Sequence, residues 1–177
     1  MNYSERAKHI FEGEIDELTR LSRTIDHNFD KVIDLIYNCQ GKLVVTGIGK
    51  TGIIGHKIAS SLASTGTPAI FVNAAEAVHG DLGMISSKDV VLLVSNSGAT
   101  NEILNVIAPL RRLGCTLIAM TGDLSSPLAK QCDVTLSVHV DHEACPPGAG
   151  AYYLHDRYPF NGRCPDGLPH GETTLQG

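Results

Sequence analysis

The chain lacks any excess of basic residues. Its formal net charge is −5 over 177 residues, and its lysines and arginines are scattered, so no positive field of the kind that neutralises a phosphate backbone is expected. Nucleic acid is therefore not an expected partner. Long apolar runs are missing too: the longest, such as 90–94, have strand length rather than the ~20 residues needed to cross a bilayer, so no membrane partner is expected. The five cysteines, Cys39, Cys115, Cys132, Cys145 and Cys164, include no C-x-x-C pair, and no charged-then-apolar leader opens the chain. That pattern fits a soluble protein of a reducing, cytoplasmic compartment. A chain this long buries roughly two-thirds of its unfolded surface without disulfides or metals, so one ordinary domain is the starting expectation.

What is present is a change of period. Over residues 4–39 the apolar residues Phe11, Ile15, Leu18, Leu21, Ile25, Phe29, Val32, Ile33 and Ile36 recur every three or four positions, which predicts two N-terminal helices separated around 24–28. Beyond residue 40, short β-branched runs at 42–46, 69–72, 90–95, 116–120 and 134–140 alternate with helix-like stretches. Gly49-Lys50-Thr51-Gly52 opens one helix running to about Ser64. Thr100 with Asn101-Glu102 opens another, running to about Leu113 before Gly114, and Ser125-Ser126-Pro127 begins a short third. Continuous apolar strands joined by right-handed helical crossovers must be covered on both faces. The expectation is an α/β, three-layer αβα sandwich on a five-stranded parallel sheet: helices over 1–40, a core over 41–146, and an irregular tail over 147–177. Five of the eight prolines fall between Pro146 and Pro169, and nothing in that tail has a helical or strand period.

In open α/β sheets ligands bind beyond the carboxyl ends of the strands, so the segments after each strand matter most. After the first comes Gly47-Ile48-Gly49-Lys50-Thr51-Gly52. Its spacing fits a dinucleotide fingerprint, but the strand that should supply an acidic ribose ligand ends at Asn73, which argues against NAD. Val44 stands where the first glycine of a P-loop would, which argues against a nucleoside triphosphatase. What survives is a glycine turn that brings Gly49 and Thr51 close to an anion at a helix N-terminus, with Lys50 adding charge. A tight strand-to-helix turn with an exposed lysine is the alternative. After the third strand, Ser95-Asn96-Ser97-Gly98-Ala99-Thr100 offers hydroxyls and first-turn amides of the kind a phosphate monoester needs, without a metal. Taken alone it reads equally well as a helix cap. Two glycine-and-hydroxyl turns on one sheet edge favour a phosphorylated small molecule.

Acid and base groups occur in the same segments: Glu76 and His79 after the second strand, Glu102 in the helix after the serine turn, and Glu143 after the fifth strand. A 1,2-proton shift in an aldose needs a base for the carbon-bound proton and an acid for the carbonyl oxygen. Each also has an ordinary structural reading, Glu102 as a residue complementing the helix dipole and His79 as a surface histidine. His139 and His142 have an H-x-x-H spacing, but a strand end does not bring them to one face, and no metal is expected there.

These residues, together with Ser64-Thr65-Gly66-Thr67-Pro68, Glu76-Ala77-Val78-His79-Gly80-Asp81-Leu82-Gly83 and Glu143-Ala144-Cys145-Pro146, resemble the serial motifs of the SIS (sugar isomerase) domain in D-arabinose 5-phosphate isomerases. The resemblance covers about residues 5 to 146. It implies a Rossmann-like SIS fold and interconversion of D-arabinose 5-phosphate and D-ribulose 5-phosphate through an enediol, without a redox cofactor, in supply of the Kdo sugar of lipopolysaccharide or capsule. It further implies catalytic roles for Lys50, Glu102 and Glu143, and substrate contacts by Gly66, Thr67 and His79. The phosphate falls to Ser95, Ser97 and Thr100, with Asn96 in the same turn. Asn73 stands where some relatives have a zinc-binding histidine, so no metal is implied, and the family's His-Pro-Gly-Gly histidine has no counterpart. A homo-oligomer, tetrameric in intact relatives, is implied as well. The alternative within the resemblance is a phosphosugar-sensing SIS module without catalysis, although the first forty residues carry no basic recognition helix.

After Pro146 the likeness stops. Back-translation of 150–165 with permitted codons, moved one nucleotide forward, allows Ala-Pro-Thr-Thr-Ser-Thr-Thr-Ala-Thr-Leu-Leu-Met-Gly-Asp-Ala-Leu, similar to the family's continuation. The expectation is a frameshift between Pro146 and Gly150, giving a truncated chain of impaired activity.

Overall fold

The computed structural model describes residues 2–141. They fall into two compact units, residues 2–19 with Asp141 and residues Arg20–Val140. The expectations for Glu143, His142 and the tail over 147–177 lie outside the described residues.

The N-terminal helix α1 (Tyr3–Ser22) contains no buried residue. Within the first unit, Phe11, Ile15 and Leu18 are 65%, 60% and 65% exposed, a stripe at i, i+4, i+7 on one side of the helix. Glu17 Oε2 there accepts the Asp141 N–H at 3.0 Å.

The second unit carries the sheet. After α2 (His27–Tyr37) come β1 (Leu43–Gly47), α3 (Gly49–Ser64), β2 (Ala69–Asn73), the single turn α4 (Ala74–Ala77) and a 3-10 turn (Asp81–Met84). Then follow β3 (Val90–Val94), α5 (Asn101–Leu113), β4 (Thr116–Thr121), α6 (Pro127–Gln131) and β5 (Val134–Ser137). The strands pair in the order β2-β1-β3-β4-β5, all parallel, so the five-stranded parallel sheet with helices on both faces is as expected. β1 and β3 are buried along their whole length, and alternate residues serve opposite layers. Val44, Val91, Leu93, Leu117 and Ala119 pack with Ile103, Val106, Ile107 and Leu110 of α5 and with Ala74 and Ala77 of α4. Leu43, Val45, Leu92, Val94 and Ile118 pack with Val32 of α2 and Ala59 of α3. Double-sided burial is why these strands read as unbroken apolar runs.

Helix α3 approaches β1 and β2 closely because small residues face them. A Cβ at Gly55 would lie 3.1 Å from Phe71 Cε2 and 3.2 Å from Val45 Cγ1. At the amino ends of the strands a buried carboxylate ties two elements together. Asp89 Oδ1 accepts the Lys42 N–H at 2.9 Å, and Oδ2 accepts from Lys42 Nζ and the Ser86 N–H, each at 2.8 Å.

Two details differ from the sequence expectation. The fifth strand ends at Ser137 rather than 140, because Ser137 pairs with Thr121, the last residue of β4, and nothing remains alongside to extend the ladder. The turn α4, one helical turn long, was not anticipated: Asn73 Oδ1 accepts the Ala75 N–H at 3.0 Å and starts it at once after β2.

Candidate functional site

The strand order reverses between β1 and β3: the first crossover leads to β2 on one side, and the chain then returns to place β3 on the other. At such a switch point two adjacent strands send their following segments to opposite layers and leave a crevice beyond their carboxyl ends. Thr46 of β1 is level with Leu93 of β3. Both turns singled out in the sequence therefore begin side by side at one edge of the sheet.

The first turn is shaped by glycine. A Cβ at Gly47 would lie 2.8 Å from the Thr51 carbonyl oxygen, and Gly49 has φ +57°, in the left-handed region that side chains disfavour. The chain thereby folds tightly into α3, whose N-cap, Ile48, has no side-chain acceptor. Thr51 Oγ1 donates to the Ile48 carbonyl at 2.9 Å, and Lys50 is exposed.

In the second turn Ser95 is buried, while Asn96 and Ser97 are exposed. Ser95 Oγ pairs with Thr100 Oγ1 at 2.9 Å and accepts the Gly98 N–H at 3.2 Å. Ser97 Oγ accepts the Ala99 N–H at 3.3 Å. Thr100 is the N-cap of α5, yet its hydroxyl makes no capping bond, being engaged with Ser95.

The caps set these two helices apart. Among the described residues every other α-helix has a side-chain oxygen on an N-terminal amide: Asn2 on Glu5 for α1, Asp26 on Asn28 for α2, Asn73 on Ala75 for α4 and Ser126 on Ala129 for α6. Among the described residues only α3 and α5 have an N-cap residue whose own side chain makes no capping bond, and they are the two that start at the β1/β3 crevice. Uncapped first-turn amides at the positive end of a helix dipole are donors for an anion. Two such ends beside each other, with serine and threonine hydroxyls and Lys50 nearby, can surround a phosphate monoester without a metal.

The structure does not bring every expected residue to this crevice. Gly49, Lys50, Thr51, Ser95, Asn96, Ser97, Thr100 and Glu102 lie at the carboxyl edge, with Glu102 exposed on the first turn of α5. His79 is exposed beyond α4, following the edge strand β2. Gly66 and Thr67 precede β2, and Pro68 accepts the N–H of Leu43, the first residue of β1. They lie at the amino edge, one strand length of ~16 Å from the crevice, so within one chain they do not reach a ligand held by Gly49 and Ser97. Motif order in the sequence carries no information on which end of a strand a segment meets. His139 is likewise tied elsewhere, its Nδ1 3.0 Å from the Gly122 carbonyl oxygen.

Sequence reasoning passed over Thr121, Gly122 and Ser126, which lie beneath the serine turn. A Thr-Gly pair directly after a strand is a signal that could have pointed to them. Two hollows fall elsewhere. One of about 730 Å³ is lined by Lys31, Asn38, Lys88 and Asp133 at the amino edge, and one of about 540 Å³ by Ile25, Phe29, Leu136 and His139. Neither contains a motif residue of the crevice, and shape alone does not outweigh the donor geometry.

Comparison with known proteins identifies the family. The SIS domain family model matches residues 35–154. Arabinose 5-phosphate isomerase KdsD of Yersinia pestis is 45% identical over 148 residues, 84% of this chain and 45% of the relative. Arabinose 5-phosphate isomerase GutQ of Salmonella typhimurium is 49% identical over 133 residues, 75% of this chain and 41% of the relative. Among solved structures, that of E. coli CFT073 c3406 in complex with arabinose 5-phosphate matches with a TM-score of 0.79 at 41% identity, covering 85% of this chain and 81% of that one. The chain thus spans less than half the length of these curated relatives.

Proposed function

The chain belongs to the SIS domain family, and from that premise we propose that it binds a pentose phosphate in the β1/β3 crevice and interconverts D-arabinose 5-phosphate and D-ribulose 5-phosphate. The observation that carries this reading is the pair of uncapped helix starts, α3 and α5, following adjacent parallel strands. Ser97 and the amides of the serine turn take the phosphate, with Thr100 and the buried Ser95 fixing the turn behind them and Gly49 and Thr51 opposite. Lys50 faces the carbonyl end of the sugar and stabilises negative charge that develops on its oxygen. A carboxylate removes the proton from C2 of the aldose while the carbonyl oxygen at C1 is protonated, giving an enediol. A proton is then delivered to C1 while the C2 hydroxyl gives up its own, which leaves the carbonyl at C2 and gives the ketose. Glu102 and Glu143 share these transfers, and His79 is the further acid–base candidate. No electron leaves the substrate, so no redox cofactor is required.

Self-association belongs to the same reading. The exposed Phe11, Ile15 and Leu18 stripe of α1 is an apolar surface that a second copy would cover. The out-of-frame reading of 147–177 predicts low turnover by this chain and recovery when the frame is repaired.

The test is an isomerase assay with arabinose 5-phosphate, on this chain and on its in-frame counterpart, beside Glu102→Gln and Glu143→Gln. Full activity in both variants would remove the acid–base assignment. Tight binding without turnover by the repaired parent would favour a sensing module.

A further inference from the structure

The serine turn is braced from below by the end of β4 and the segment that follows it. Two of its carbonyls point down into the protein. The Asn96 carbonyl accepts the Gly122 N–H at 2.9 Å and the Thr121 hydroxyl at 3.1 Å, and the Gly98 carbonyl accepts the Leu128 N–H at 3.0 Å. In a trans peptide the C=O of one residue and the N–H of the next point in opposite directions. Drawing Asn96 O towards β4 therefore turns the Ser97 N–H the other way, out towards the crevice. Drawing Gly98 O towards α6 turns the Ala99 N–H out likewise, where it bonds Ser97 Oγ and fixes that hydroxyl.

The contact is close as well as hydrogen-bonded. Gly98 has φ +60°, and a Cβ there would collide with Ser126 Oγ and lie 2.8 Å from Thr121 Oγ1. Thr121 is fully buried and Ser126 is 2% exposed. The Thr121 hydroxyl is used twice, donating to Asn96 O and accepting the Asp123 N–H at 3.2 Å. Its threonine identity is therefore matched to both the serine turn and the loop after β4, and valine, equal in shape, would satisfy neither.

We propose that Thr121 is a positioning residue for phosphate binding, holding the Asn96–Ser97 peptide so that its N–H faces the ligand, with Ser126 as the wall that limits the turn at Gly98. This rests on the reading of Ser95–Thr100 as the phosphate-binding turn. Because the phosphate is a handle bound equally in ground and transition states, a misdirected peptide weakens binding and raises KM while kcat changes little.

The experiment is isothermal titration of the full chain with arabinose 5-phosphate for the parent, Thr121→Val and Thr121→Ser, with thermal unfolding as control and with KM and kcat measured for the same substitutions in the in-frame counterpart. The expected result is roughly five- to tenfold weaker binding for Thr121→Val, the scale of one lost hydrogen bond, with a matching rise in KM, an unchanged kcat and recovery in Thr121→Ser. A merely structural role would lower the unfolding temperature of Thr121→Val and leave the affinity of the folded protein unchanged, which overturns the proposal. A parent that binds no arabinose 5-phosphate removes the phosphate-turn reading itself. Normal parent binding with an unmoved Thr121→Val affinity removes the positioning role alone.

Discussion

Asp89→Asn isolates the most heavily engaged buried charge in the described part of the molecule. The Asp89 side chain is 1% exposed and that of Lys42 28%. Burial by itself raises the Asp89 pKa, but the Lys42 ammonium and the N–H groups of Ser86 and Lys42 outweigh it and hold the carboxyl below its ordinary value of 3.8. Asparagine keeps the shape and loses the charge. If its carbonyl oxygen takes the Oδ2 position it still accepts from Lys42 Nζ and Ser86, but its NH2 then opposes the Lys42 N–H. The loss is then one charge-assisted hydrogen bond, ~1.5–3 kcal/mol, plus the weakening of a largely buried ion pair. Breaking such a pair costs ~3–5 kcal/mol in all, a large part of a domain's margin of ~5–15 kcal/mol. Since the folded pKa is depressed, this stabilisation is fully present above the unfolded value of 3.8 and disappears as pH falls through the lower folded value. Denaturant unfolding of parent and Asp89→Asn at pH 7 and at steps down to pH 2 measures both effects. The expected result is a gap of several kcal/mol at pH 7 that closes in acid. A gap below about 1 kcal/mol at pH 7, or one independent of pH, would refute the reasoning.

Thr46 is 3% exposed and its Oγ1 has no hydrogen-bond partner among the described residues, so Thr46→Val is expected to be neutral or to stabilise by about 1 kcal/mol in the same denaturant assay. In the in-frame counterpart Glu102→Gln is expected to lower kcat by roughly 10²–10⁴ with KM little changed, read in the isomerase assay. Burial pushes the Cys132 thiol up to about 12, so under native conditions at pH 8 its thiolate fraction is on the order of 10⁻⁴, and mass spectrometry after iodoacetamide treatment should find it unmodified until the protein is unfolded. Ile15→Lys, in the exposed stripe of α1, is expected to lower the mass measured by light scattering, provided the parent self-associates through that helix.

Much of the architecture was legible because the sheet's central strands are buried on both sides. Val90–Val94 is a continuous apolar run and residues 43–45 begin β1 in the same way, and Gly114 ends α5 with φ +84° where a left-handed C-cap is needed. The two glycine turns were legible for the same local reason. What escaped depended on register. The end of β5 is set by where β4 stops, α4 is too short to show a period, and Gly66-Thr67 looks like a ligand motif until the strand direction places it at the amino edge. The bracing of the serine turn by Thr121 and Ser126 joins residues more than twenty positions apart, which no local pattern reports.

The central claim is that the turns after β1 and β3 grip one phosphate together. Titration of ¹⁵N-labelled protein with arabinose 5-phosphate, following the backbone amides of Lys50, Thr51, Ser97 and Ala99, tests it most directly. All four should shift along one saturation curve with a single Kd and one ligand per chain. Shifts confined to one turn, or two curves with different Kd values, would contradict it.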